Sequence, residues 1–162
     1  MALDLRPFPP ELAGVVSSWA PTHEEVLIWC SAAAAPVTAE QLNKWADEDG
    51  AEPFGLYRGN RLVAYGELWV DDHECEVELA RLIVDPGERG QGLGRYLAAG
   101  LARLGRLRYP RVFLRVRPAN VAALRSYAAA GFEPVPPDQA ALWNIGQPVN
   151  YVWLRPAHSA VT

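Results

Sequence analysis

Cysteine is scarce: Cys30 and Cys75 are the only two in 162 residues. There is no CxxC and no Cys/His cluster, so a disulfide scaffold is excluded and no zinc motif is present. Long apolar runs are missing as well. No stretch approaches the ~18 apolar residues of a membrane helix. The opening segment MALDLRPFPPEL has neither a basic start nor an apolar block, so it does not read as a signal peptide. A soluble, cytoplasmic protein is expected. Internal repeats and low-complexity linkers are absent too, and residues 1–156 read as one domain with a short tail at 157–162. What is present is ordinary for a globular chain, 50% hydrophobic and 21% charged, which rules out wholesale disorder.

The most informative absence is of acid. Residues 89–125 hold nine arginines and neither Asp nor Glu, whereas residues 24–88 hold 15 of the 19 acids against four bases. The net charge of −4 therefore divides into segments of about −11 and +9. An acid-free stretch of 37 residues points to a polyanionic ligand. Nucleic acid is disfavoured, because the whole chain is acidic and no RNP, KH or zinc-finger pattern occurs. A phosphorylated small molecule fits better.

Periodicity and turn chemistry give the element order. Leu3–Arg6 reads as a strand, and Pro7, Pro9 and Pro10 keep the chain extended after it. Thr22 and Thr38 each precede a Glu-containing first turn and open two helices, one ending within Ala32–Ala35 and one near Gly50. Gly59-Asn60 turns a hairpin between Pro53–Tyr57 and Leu62–Val70. Glu76–Val84 is the next strand, Gly92–Arg106 an amphipathic helix, and Val112–Val116 an alternating strand. Asn120 caps a helix that ends before Gly131. Pro134, Pro136 and Pro137 suggest a loop, with a short strand near Ala141–Ile145 and a last strand at Val149–Leu154. The whole reads as one α/β or α+β domain.

One connection carries chemistry. The strand ending at Val84 leads through Asp85-Pro86-Gly87-Glu88-Arg89-Gly90-Gln91-Gly92-Leu93-Gly94-Arg95 into a helix that lacks a capping side chain. Glycines stand where the other helices have Thr or Asn, so the first N–H groups are left for an anion, assisted by the helix dipole. The spacing fits neither a dinucleotide fingerprint, because Arg95 stands where its last glycine belongs, nor a Walker loop, which needs GK[ST]. What fits is Arg89-x-x-Gly92-x-Gly94.

This segment resembles the acetyl-CoA pyrophosphate loop of the GNAT superfamily of N-acetyltransferases. Asn120-Val121-Ala122-Ala123-Leu124-Arg125-Ser126-Tyr127-Ala128-Ala129-Ala130-Gly131-Phe132 resembles the same family's Asn-x-x-Ala-x-x-x-Tyr-x-x-x-Gly-Phe helix, and Glu78–Pro86 its fourth strand. The resemblance is sharp over about residues 76–132. It implies a single mixed, mostly antiparallel sheet of about six or seven strands, helices on both faces, and a splay between strands 4 and 5.

It also implies an acyltransferase that moves acetyl from acetyl-CoA to an amine, with no metal. Leu82, Ile83 and Val84 would hold pantetheine by their backbone, and Arg89, Gly90, Gln91, Gly92, Leu93, Gly94 and Arg95 would hold pyrophosphate. Asn120 and Tyr127, two helical turns apart, share a face toward the cofactor. Tyr127 is the candidate acid for the leaving thiolate and Glu78 the favoured base, with Glu76 second and His73 a relay. Trp29, Trp45 and Trp69 are candidates to wall an acceptor pocket. Asp71, Asp72, Glu74, Glu76 and Glu78 suggest an acidic entrance that draws a cationic amine. The alternative is a non-catalytic acyl-CoA-binding or protein-interaction module. Partners are acetyl-CoA and an amine acceptor rather than a membrane, and a homodimer is left open.

Overall fold

Gly59-Asn60 turns the chain between β2 (Ala51–Arg58) and β3 (Arg61–Asp71), with Gly59 at φ +62 as a two-residue hairpin turn requires. The computed structural model, which describes residues 2–157, builds a seven-stranded sheet around this hairpin. β1 (Leu3–Pro7) pairs antiparallel with β2, and β4 (Glu76–Val84) pairs antiparallel with β3. β5 (Arg111–Val116) lies parallel to β4, and β7 (Val152–Pro156) and β6 (Phe132–Pro134) complete the order β1-β2-β3-β4-β5-β7-β6. This is the expected mixed, mostly antiparallel sheet.

Helices cover both faces. α1 (Ala13–Ser17), α2 (His23–Cys30) and α3 (Ala39–Ala46) enclose a core with Val16, Val26, Leu42 and Tyr65. Thr22 and Thr38 cap α2 and α3, accepting from the N–H of Glu25 at 3.2 Å and of Gln41 at 3.0 Å. On the other face, the Leu93, Leu97 and Leu101 stripe of α4 (Leu93–Arg108) meets Leu68, Leu79 and Leu114 of the sheet, with α5 (Val121–Ala129) alongside. A smaller cluster joins Phe113, Val135, Tyr151 and Trp153.

Four local expectations are corrected. After β1 the chain does not stay extended: Pro10 opens a 3₁₀ turn that runs into α1, because proline suits a first helical position. α2 stops at Cys30, where Ser31 turns left-handed at φ +58, rather than running into Ala32–Ala35. The expected strand at Ala141–Ile145 does not form. Pro137 instead starts α6 (Pro137–Trp143), and Phe132–Pro134 is the strand that pairs with β7. A short apolar run is compatible with either element, and here the N-terminal proline decides it. The last strand begins at Val152, because the Asn144 side chain donates to Tyr151 O and accepts from Tyr151 N, both at 3.0 Å. Of the expected tail, Ala157 N donates to Gly131 O at 2.9 Å, and residues 158–162 lie outside the described residues.

Two irregularities shape the centre of the sheet. In the first, Tyr65 pairs with Ile83 but Glu67 with Ala80, so β4 carries one extra residue, and Arg81 adopts φ +53. The inserted residue flips the side-chain parity of the strand. Val77 and Leu79 before it, and Leu82 and Val84 after it, all face the α4 core. The second is a fork. β4 and β5 are paired only from Glu76/Arg111 to Leu79/Leu114, while the opposite edge of β5 pairs with β7 from Leu114/Leu154 to Val116/Val152. Among the described residues, no strand pairs with the β5-side edge of β4 from Ala80 onward.

Candidate active site

The fork opens a cleft of about 390 Å³ on the α4–α5 side, lined by Leu82, Ile83, Val84, Arg89, Gly90, Gly92, Gly94, Ala123 and Tyr127 among others. The loop that forms its rim is pinned from outside. Glu88, 7% exposed, accepts from Arg58 at 2.9 Å and lies 3.3 Å from Arg61, which ties the loop to the β2–β3 hairpin end. Gly92 is the N-cap of α4 at φ +78, and among the described residues no side chain caps the helix. A Cβ at Gly92 would meet nothing within 4 Å, so its left-handed backbone, rather than crowding, favours glycine there. Gly92, Leu93 and Gly94, at the start of this 16-residue helix, line the cleft, as does Glu25 of α2. A phosphate group fits such a place.

A second cleft of about 190 Å³ opens on the other side of the fork. Ile28, Trp29, Leu82, Asn120 and Tyr127 line both clefts, so the two meet there. Asn120 caps α5, accepting from Ala123 N at 3.2 Å, and this sets the helix phase that brings Tyr127 onto the same face. The Tyr127 hydroxyl has no hydrogen bond to any described residue. Burial pushes its proton affinity well above that of an ordinary phenol, so it stays protonated.

The second cleft is built from ion pairs and rings. Glu67, fully buried, accepts from the Tyr65 hydroxyl at 2.6 Å, Trp69 Nε1 at 2.9 Å and Arg81 Nη1 at 3.0 Å. Burial, and then the Glu67 charge, hold the Tyr65 hydroxyl far above its usual range. The Arg81 guanidinium lies over the Trp45 and Trp69 rings, 4.4 and 4.9 Å from their centroids. Trp29 Nε1 donates to Arg81 O at 2.9 Å, on the open edge of β4. Glu78 accepts from Arg115 Nε at 2.6 Å and Nη2 at 2.8 Å, a bidentate pair across β4 and β5 just where their backbone pairing ends. This pairing is the first cause of the raised pKa of Arg115.

The expected residues are distributed unevenly over this geometry. Leu82, Ile83, Val84, Arg89, Gly90, Gly92, Leu93, Gly94, Asn120 and Tyr127 all line the larger cleft. The Gln91 and Arg95 side chains are not among its lining: Gln91 bridges Arg58 and Glu88, and Arg95 is exposed on α4. Glu78 lines the smaller cleft, but both its oxygens hold Arg115. Glu76, paired with Arg111 at 3.2 Å, does not line it. The expected acidic entrance is corrected. Asp71, Asp72, His73 and Glu74 sit at the β3–β4 turn, at the end of β4 opposite the fork, and none of them lines either cleft.

Trp29 and Trp69 line the smaller cleft, while Trp45 stacks on Arg81. Cys30 lines it too, its thiol pushed up by burial, whereas Cys75 is an exposed turn residue. Sequence reasoning missed Glu67 and Arg81, Glu88, and the Arg115, Arg117, Ser31 and Tyr151 group. A lone acid inside the apolar run Leu62–Val70 was the one available signal for Glu67. Among the described residues no group of three or more His, Cys, Asp and Glu is placed to hold a metal, and no helix is long and apolar enough to cross a membrane.

Comparison with known proteins agrees with this architecture. Residues 13–132 match the sequence model of the acetyltransferase (GNAT) family. A mycothiol acetyltransferase of Thermobispora bispora is 38% identical over 104 residues, 59% of this chain and 35% of that protein. The chain spans about a third of the length of the curated relatives it matches. Among solved structures, the aminoglycoside acetyltransferase AAC(6')-Ib with coenzyme A and kanamycin superposes with a TM-score of 0.73 at 16% identity, covering 98% of this chain and 96% of that one. The spermidine N-acetyltransferase from Vibrio cholerae with CoA and spermine gives 0.68 at 16% identity, covering 83% and 82%.

Proposed function

Since the chain belongs to the acetyltransferase (GNAT) family, we propose that it transfers the acetyl group of acetyl-CoA directly to a primary amine of a small molecule or of a protein N-terminus or lysine. The observation that carries this reading is the meeting of two clefts at Tyr127: one rimmed by an uncapped helix start, the other walled by charged and aromatic side chains. Bound acetyl-CoA supplies the acyl group as a thioester. The N–H groups of residues 89–95 hold its pyrophosphate. The unpartnered edge of β4 at Leu82, Ile83 and Val84 offers backbone groups to the pantetheine arm and polarises the acyl carbonyl. The amine nitrogen forms the new C–N bond as the C–S bond breaks. Tyr127 gives its proton to the departing sulfur and is reprotonated from solvent as the amine gives up its own proton. Glu78 we assign to positioning: taking a proton would break its bidentate pair with Arg115.

The test is calorimetry with acetyl-CoA on Gly92→Val. The left-handed backbone at this position strains a β-branched residue by about 1–2 kcal/mol, and its side chain crowds the phosphate cradle. Acetyl-CoA affinity should fall at least tenfold in protein whose circular dichroism shows it folded. Undiminished affinity would overturn the cofactor assignment. Acetyl-CoA binding without thiol release on any amine would make the chain a non-catalytic acyl-CoA-binding or protein-interaction module.

A further inference from the structure

The three arginines that line the smaller cleft are not equivalent. Arg81 is engaged by Glu67, and Arg115 by Glu78. No carboxylate among the described residues pairs with Arg117, and its Nε donates to Ser31 Oγ at 3.3 Å. Its guanidinium lies 5.8 Å from the Tyr151 ring centroid, and the Ser31 and Tyr151 hydroxyl oxygens are 3.2 Å apart. Once the two ion pairs cancel, one positive charge remains in this cleft, beside two hydroxyl groups. Arg117, Ser31 and Tyr151 line the smaller cleft and are absent from the lining of the larger one, so this donor group is separate from the phosphate cradle.

We propose, building on the acetyl-transfer reading, that the acceptor is a primary amine carrying a carboxylate, and that the carboxylate docks on Arg117, Ser31 and Tyr151. The Arg117 Nη groups and the one hydroxyl proton that the Ser31–Tyr151 bond leaves free are donors of the kind a carboxylate takes. Trp29 and Trp69 give the cleft aromatic wall for an apolar side chain. At about 190 Å³ the cleft lies below the ~300–1,000 Å³ usual for drug-sized ligands, so it suits a molecule of amino-acid size or the end of a peptide. A polyamine would instead set its positive charges against an unpaired guanidinium. Asp71, Asp72 and Glu74 of the acidic turn line neither cleft.

Matched pairs test the proposal: the common α-amino acids and short peptides, each against its C-terminal amide, with spermine as the cationic control. Amine, acetyl-CoA and enzyme are held fixed, and kcat/KM is read by thiol release. The acid of an accepted pair should be favoured by about 10- to 100-fold, the worth of a charge-assisted hydrogen bond. Arg117→Gln should bring the acid-to-amide ratio toward one, and Arg117→Lys should retain part of it, both with wild-type acetyl-CoA affinity by calorimetry. Preference for amides or spermine, or a ratio untouched by Arg117→Gln, overturns the proposal. So does a loss of acetyl-CoA affinity in Arg117→Gln with the ratio kept, which would move Arg117 to the cofactor. A wild-type protein that binds no acetyl-CoA strikes the underlying reading instead, and the proposal falls with it.

Discussion

The two clefts that meet at Tyr127 are made of different material. The larger one has apolar walls and a backbone rim, made of the uncapped start of α4, its glycines and the open edge of β4. The smaller one is mostly side chain: Glu67–Arg81, Glu78–Arg115, Arg117 and the rings around them. Backbone groups are the same in every protein, so a rim built from them suits a constant ligand. Paired side chains can be rearranged by substitution, so a cleft built from them suits an acceptor that differs between relatives. The difference predicts that damage to each side should be separable.

The largest effect should come where the two sides join. Tyr127→Phe keeps the ring and removes the hydroxyl, and kcat should fall by roughly 10²–10⁴ while acetyl-CoA affinity stays at wild type. Unchanged turnover, with chemistry shown to limit the rate, would reduce Tyr127 to packing. Because burial raises the Tyr127 pKa, no alkaline fall in the wild-type rate should trace to this hydroxyl below about pH 10. The sign for stability follows. Unfolded tyrosines ionise near pH 10, whereas Tyr65 and Tyr127 remain protonated in the fold, so the folded state binds more protons. Stability should therefore fall as pH rises above about 10.

The next effect belongs to the side-chain cleft alone. Glu67→Gln removes the charge that faces Arg81 inside the sheet and should cost about 3 kcal/mol, read from denaturant midpoints. Acetyl-CoA binding to the remaining folded protein should be unchanged, and a matching loss there would erase the distinction between the clefts. The smallest effect concerns Glu78. If it ties β4 to β5 through Arg115, Glu78→Gln should lower stability by about 1–3 kcal/mol and leave the shape of the pH–rate profile intact. A drop in kcat/KM that steepens toward low pH would restore Glu78 as the base.

Much of the fold was legible because its signals are local. Thr22, Thr38 and Asn120 each cap the helix that follows them, and Gly59-Asn60 turns the hairpin as its backbone requires. The uncapped start of α4 was legible for the same reason, since a missing cap is visible in consecutive residues. The region after Phe132 was less so. There Pro137 could have marked a loop as well as a helix start, and the packing of Trp143 against Phe113 and Trp153, which joins the proline in favouring the helix, exists only in the fold.

The acceptor side shows where local reading stops. The sequence by itself determined that α4 starts without a capping side chain, that Asn120 and Tyr127 share a face, and that the chain's charge is divided. It did not determine which charges meet. Glu67 reaches Arg81 across a bulge at φ +53, and Glu78 reaches Arg115 across a fork, so each pair depends on strand register. An acid counted as free in the sequence can thus be neutralised in the fold, and an arginine in a crowd of nine can be the one without a carboxylate partner in its cleft. Coulomb energy depends on distance and burial rather than on position along the chain, and those were fixed only when the sheet formed.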